Sequence, residues 1–164
     1  MVFLRALRTN DGRDIFCMLK EIGIRENSFT NPVHDMTFEQ FREWLALQER
    51  WSRDEDLPEG YVGQSVFWLF DEQIPVGFGK IRHRLTEASR TCGGNIGYAV
   101  RPGYRGKGYG RELLRLLIGE ARNRGIDELL LTVDKGNTAS RRVIEDNGGV
   151  LIDENEERWY FAIP

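Results

Sequence analysis

Glycines at 106, 108 and 110 alternate with Arg105, Lys107 and Arg111, directly after the apolar run Ile96 to Val100 and before the amphipathic stretch that starts at Glu112. Without a Cβ, glycine lets a backbone turn sharply and approach a ligand closely. The three cations surround the same loop with positive charge. The order apolar strand, glycine loop, helix start adds the unpaired N–H groups and positive dipole end of a helix N-terminus, which attract anions. Such a site suits a compact polyanion, above all a pyrophosphate. The plain alternative is a strand-to-helix turn whose basic residues face water.

Two nucleotide fingerprints fail on this loop. Gly106-x-Gly108-x-x-Arg111 has arginine where the dinucleotide pattern needs a third Gly or Ala, and Gly103-x4-Gly108 is followed by Tyr109 rather than by Lys-Ser/Thr. What remains is Arg105-x-x-Gly108-x-Gly110. This resembles the coenzyme A pyrophosphate loop of the GNAT superfamily of N-acetyltransferases, Gln/Arg-x-x-Gly-x-Gly/Ala. Downstream, Asn137-Thr138-Ala139-Ser140-Arg141-Arg142-Val143-Ile144-Glu145-Asp146-Asn147-Gly148-Gly149 resembles that family's other diagnostic segment, Asn-x-x-(Ala/Ser)-x-x-(Leu/Val)-(Tyr)-Glu-x-x-Gly-Phe. Taken alone, Asn137 is more often a helix N-cap than a ligand contact. The resemblance is specific from Asn95 to Gly149.

The resemblance implies an α/β fold, with a mixed, mostly antiparallel central sheet, one splayed parallel strand pair and flanking helices. It implies acetyl-CoA as cosubstrate, lying in the wedge of the splayed pair and pairing its pantetheine with the backbone of Tyr98, Ala99 and Val100. Arg105, Gly106, Lys107, Gly108, Tyr109, Gly110 and Arg111 would hold the pyrophosphate, and Asn137 and Ser140 would touch the pantetheine. A backbone N–H near Tyr98 would steady the oxyanion. The implied activity is direct transfer of an acetyl group to a primary amine of a small molecule or peptide.

Proton handling is less well marked. An amine arrives protonated, with a pKa of about 10.4 if it is like lysine, so a base must take its proton, and the departing thiolate benefits from an acid. Family members often place a Glu where this chain has Asn95, and a Tyr where it has Ile144. Asn95 could only position a water. His83, on the neighbouring strand, titrates near neutral pH and is one candidate base. Tyr98 is a candidate acid, although aromatic residues in strands usually pack, and a thiolate can leave without an acid. Glu21, Glu26 and Asp35 in or beside the 23–36 segment could attract a cationic acceptor, or could simply be solvated. Two other functions stay open: a nucleotide-binding protein using the same loop, with Asp134 as a weak metal-binding carboxylate, and a coenzyme A-binding sensor without activity.

The elements that would position these residues follow from periodicity and punctuation. Val2 to Arg8 reads as a strand and Asp11 to Glu21 as a helix with Ile15, Met18, Leu19 and Ile22 inward; Cys17 reads as a small core residue. Residues 23–36 look irregular. Thr37 and Gln40 offer a capping box for a helix to about Arg53. Val62 to Phe70 and Ile74 to Leu85 form a hairpin around Asp71-Glu72-Gln73. The helix after the glycine loop ends at Gly125, the apolar run Leu129 to Val133 reads as a strand covered on both faces, and Thr138 to Asn147 is a helix. A hairpin over 150–163 closes the chain. The strand–helix–strand order from 96 to 133 demands a parallel pair.

Composition sets the frame. The 164 residues suit a single domain over 1–164. A net charge of −3 argues against a nucleic-acid binder. Two cysteines and two histidines without ligand spacing indicate neither a disulfide framework nor a metal site. The start is too short and too basic for a signal peptide, and no apolar run spans a bilayer, so the expectation is a cytoplasmic protein off the membrane. A homodimer is left open.

Overall fold

The structure is a computed structural model that describes residues 1–26 and 28–164. Its strands are β1 (Val2–Ala6), β2 (Arg25–Glu26), β3 (Phe29–Thr30), β4 (Gln64–Asp71), β5 (Ile74–Arg82), β6 (Ile96–Val100), β7 (Leu129–Asp134), β8 (Val150–Glu154) and β9 (Arg158–Ile163). Its α-helices are α1 (Arg13–Glu21), α2 (Phe38–Ser52), α3 (Glu87–Thr91), α4 (Tyr109–Asn123) and α5 (Thr138–Asp146). One sheet runs β1-β4-β5-β6 and a second runs β7-β9-β8, all antiparallel.

β4 explains how the core divides. Its residues alternate between two apolar clusters: Phe67 and Leu69 pack under α4 with Leu113 and Leu117, while Val66, Trp68 and Phe70 pack under α1 and α2 with Met18 and Phe41. A strand covered on both faces is buried continuously, as β4 is. α2 begins where the capping box requires: Thr37 Oγ1 accepts from Gln40 N at 3.1 Å, and Gln40 Oε1 accepts from Thr37 N at 2.9 Å.

β6 and β7 run parallel but form no ladder. They meet at one rung, where Asn95 N donates to Leu130 O (2.7 Å) and Leu130 N donates to Asn95 Oδ1 (2.9 Å). Beyond that rung the strands part into a wedge. The approach is close enough that Gly94 has no substitute: its φ is +62°, and a Cβ there would stand 2.2 Å from Leu130 O. Gly94→Ala should therefore lose at least about 2 kcal/mol of stability, a melting point lower by several degrees, measured by calorimetry. An unchanged transition would show that β7 does not depend on this rung.

Four features differ from the sequence reading. The 23–36 segment holds the short β2–β3 pair and a 3₁₀ turn at Pro32–Asp35. Helix α3 interrupts the stretch before Asn95; its own capping box, Thr86 with Ser89, carries it. β7 is buried only at Leu129, Leu131 and Val133, because the splay leaves its other face half-open. Cys17 is exposed, lying on the far side of α1 from Ile15, Met18 and Leu19.

Candidate active site

The wedge opens into three cavities that share walls. The first, about 430 Å³, lies against the glycine loop and is lined by Tyr98, Val100, Arg105, Gly108, Arg111 and Ser140 among others. The second lies between β6 and β7 and shares Glu26, Tyr98, Asn137 and Ser140 with the first. The third, about 830 Å³, opens under α2 and shares Thr30, Lys80 and Arg82 with the second. The three thus adjoin in a row, from the glycine loop, along the outer edge of β6, to a chamber walled by Trp44, Trp51 and Tyr61.

At the loop end, Gly106 and Gly108 adopt φ of +76° and +88°, and nothing stands within 4 Å of a Cβ built on either. Gly108 is the N-cap of α4, so the first N–H groups of that helix lie outside its own ladder and face the cradle. Arg105 folds back to donate from Nε to Val100 O at 2.9 Å, and Arg111 lines the same cavity. The donors and charges fit a pyrophosphate. Lys107 and Tyr109 are not in this lining: Lys107 lies over the Tyr104 ring and the Tyr109 hydroxyl donates to Asp71.

The β6 edge obeys strand alternation. Arg101 N donates to Val76 O on β5, so by alternation the backbone groups of Ala99 turn into that ladder while those of Tyr98 and Val100 face the wedge. An added extended chain could bond to the latter two. Asn137 caps α5, its Oδ1 accepting from Ser140 N at 3.2 Å, and lines the cleft as well. The Ser140 hydroxyl lies 2.8 Å from the Tyr98 hydroxyl. Burial pushes the Tyr98 phenol up to about 12, against a smaller lowering by the Ser140 bond, so it keeps its proton and can donate a hydrogen bond into the cleft.

Two of the candidate catalytic residues lie away from the cleft. His83 packs on the face of β5 toward α4, hydrogen-bonded through Nε2 to Ser65 Oγ at 2.7 Å, and it does not line the wedge. Burial lowers its imidazole, helped by nearby Arg124. Asn95 is 4% exposed, and its amide is engaged with Leu130 N and Arg82 O. It serves as the rung that closes the wedge. Ile144, where family members often carry Tyr, is buried in the core beside the wedge.

The residue that sequence reasoning passed over is Lys80. It shares one face of β5 with Phe78 and Arg82, where the second and third cavities meet. Its ammonium donates to Thr30 O at 2.8 Å and lies over the Phe29 and Phe78 rings. Desolvation, and then the Arg82 charge, bring its pKa down to about 7. The available signal was a lysine inside an otherwise apolar run, Val76 to Ile81.

Of the acidic residues expected to draw in a cationic acceptor, Glu21 and Glu26 are already paired, and Asp35 is exposed. Glu21 accepts from Arg101, and Glu26 meets Arg105 at 3.2 Å while accepting from Gly23 N at 3.0 Å. Glu26 therefore holds a cation that a phosphate would need. Glu26→Gln should tighten coenzyme A binding by up to about fivefold in calorimetric titration, the upper end for one exposed ion pair. Weaker binding would mean that Glu26 supports the loop rather than competes for it.

Among the described residues no group of His, Cys, Asp and Glu is placed to hold a metal ion, and no helix is long and apolar enough to cross a membrane. The architecture matches solved structures over nearly its whole length. The N-acetyltransferase PseH of Campylobacter jejuni, crystallised with acetyl coenzyme A, superposes with a TM-score of 0.65 at 16% identity, over 99% of this chain and 97% of that one. RimL, a ribosomal alpha-N-protein acetyltransferase in complex with coenzyme A, gives 0.73 at 16% identity over 98% and 92%. At such identities the likeness is one of fold. In sequence the chain is 33% identical to the mycothiol acetyltransferase of Thermobispora bispora, over 68% of this chain and 44% of that protein, so it spans less than half of that relative. The model of the acetyltransferase (GNAT) family matches residues 24–148, a span that includes the glycine loop, the β6 edge and the whole of α5, and the chain belongs to that family.

Proposed function

We propose that the protein transfers the acetyl group of acetyl-CoA directly to a primary amine. The observation that carries this reading is the succession of adjoining cavities from the glycine cradle, past the outward-facing backbone of Tyr98 and the Val100 N–H, to Lys80. Acetyl-CoA would supply an acyl carbon activated as a thioester, which the amine attacks as the coenzyme thiolate leaves. The cradle from Arg105 to Arg111 and the α4 N-terminus hold the pyrophosphate; the β6 edge aligns the pantetheine.

Lys80 is the base. A lysine poised near 7 is largely neutral in mildly alkaline solution, so once the amine has reached the site in its neutral form and attacked, Lys80 can take the proton made acidic on the amine nitrogen and pass it on to the thiolate. Tyr98 has a different part. A thiol has a pKa of about 8.5, so full proton transfer from a phenol near 12 would run uphill by some three powers of ten. Tyr98 instead donates a hydrogen bond to the leaving sulfur, and the second amine proton neutralises the thiolate.

The test is a thermal-shift comparison of acetyl-CoA, coenzyme A and ATP, followed by thiol release on mixing acetyl-CoA with a panel of amines. Stabilisation by both coenzyme forms is expected. Stabilisation by ATP with none by acetyl-CoA would overturn the reading.

A further inference from the structure

The chamber beyond Lys80 has a charge pattern opposite to the one its acidic neighbours suggest. Its charged lining residues are Arg25, Lys80 and Arg82, and no Asp or Glu stands among the described residues that line it. Glu21 and Glu26 are committed to Arg101 and Arg105. The two β5 cations differ in kind. Lysine can shed its charge by releasing a proton, whereas a guanidinium cannot.

Arg82 therefore carries a permanent, partly buried charge. Its Nη1 donates to Gly94 O at 3.0 Å, burial works against its charge, and no carboxylate among the described residues offsets that. The position is built rather than incidental: Gly93 has φ of +108°, and a Cβ there would lie 2.7 Å from Arg82 Nη1. A buried charge without a counter-ion is costly. A ligand anion would supply the missing partner, and the guanidinium fork suits a carboxylate or phosphate. Around it, Trp44, Leu47, Trp51 and Val62 form an apolar wall.

Resting on the acetyltransferase reading, we infer that the acceptor is a small amine that also carries a carboxylate or phosphate and an apolar body, with the anion seated on Arg82 and the amine at Lys80. Polycationic amines are the wrong charge for this chamber.

Binding of 3-phenylpropanoate, 2-phenylethyl phosphate, neutral 3-phenylpropanamide and spermidine to the full chain tests this by calorimetric titration. At least one anion should bind about tenfold or more tightly than the amide, and whichever anion wins identifies the source. Arg82→Gln should remove the preference, and Arg82→Lys, which keeps the charge, should retain part of it. Equal binding or no binding by anions and amide, spermidine binding as tight as the anions, or a preference intact in Arg82→Gln would each overturn the inference. These titrations need no turnover. Failure with acetyl-CoA binding intact would reject the acceptor class alone, and absence of acetyl-CoA binding would reject the reading beneath it.

Discussion

Replacing Lys80 by methionine is expected to lower kcat by roughly two to four powers of ten, the usual range for loss of a positioned base. The reason lies in the pairing of place and charge. Lys80 sits where the second and third cavities meet, the coenzyme side and the acceptor side on the proposed reading, and desolvation holds its pKa near 7. In the wild type, kcat/KM should rise with pH through about 7 as the neutral amine forms; in Lys80→Met that limb should vanish. Lys80→Arg separates two roles, because arginine keeps the charge but cannot release a proton. Restored activity in the arginine variant would make Lys80 an electrostatic residue and remove it as the base.

A stability measurement checks the same lysine independently. Its pKa falls from 10.5 in a solvated chain to about 7 here. Between those values the unfolded chain binds a proton that the folded chain does not, so stability rises with pH across that window, and the burial cost is fully present below 7. Lys80→Met removes this cost. Denaturant titration at pH 6 should find the variant no less stable than the wild type, so a loss of rate there cannot be a loss of fold.

Gly108→Asp is expected to weaken coenzyme A binding by at least two to three powers of ten in calorimetric titration. Gly108 has φ of +88° at the α4 N-cap. Aspartate tolerates the left-handed region better than most residues and is itself a good N-cap, so the free protein should still fold. The new carboxylate would stand in the open cradle against the pyrophosphate. Two like charges about 4 Å apart at an effective dielectric near 20 repel by about 4 kcal/mol, more than two powers of ten. Near-normal affinity with a normal melting curve would mean that the phosphates bind elsewhere.

The legible parts of this protein are the local ones. The glycine loop, the Thr37 capping box and the β4–β5 hairpin each lie within a few residues of sequence, where turn chemistry and hydrogen-bond reach are nearly independent of the rest. The family likeness drew on the same short segments. The base proposed here was not legible for a specific reason. His83 directly follows β5, three positions beyond Lys80, and an odd step along an extended chain reverses the face. Only the packing of α4 on one side of β5 and the opening of the cleft on the other decide which of them meets a substrate.

The sequence by itself determined the donor end: a cradle for phosphates whose shape comes from backbone turns and a helix start. Tertiary structure decided the rest. It turned Asn95 into the rung that closes the wedge, tied Glu21 to Arg101 and Glu26 to Arg105 across long stretches of chain, and left Arg82 without a carboxylate among the described residues. Charge pairing and desolvation depend on distances between residues far apart in the chain. An acidic segment can therefore border a chamber whose own charge is positive.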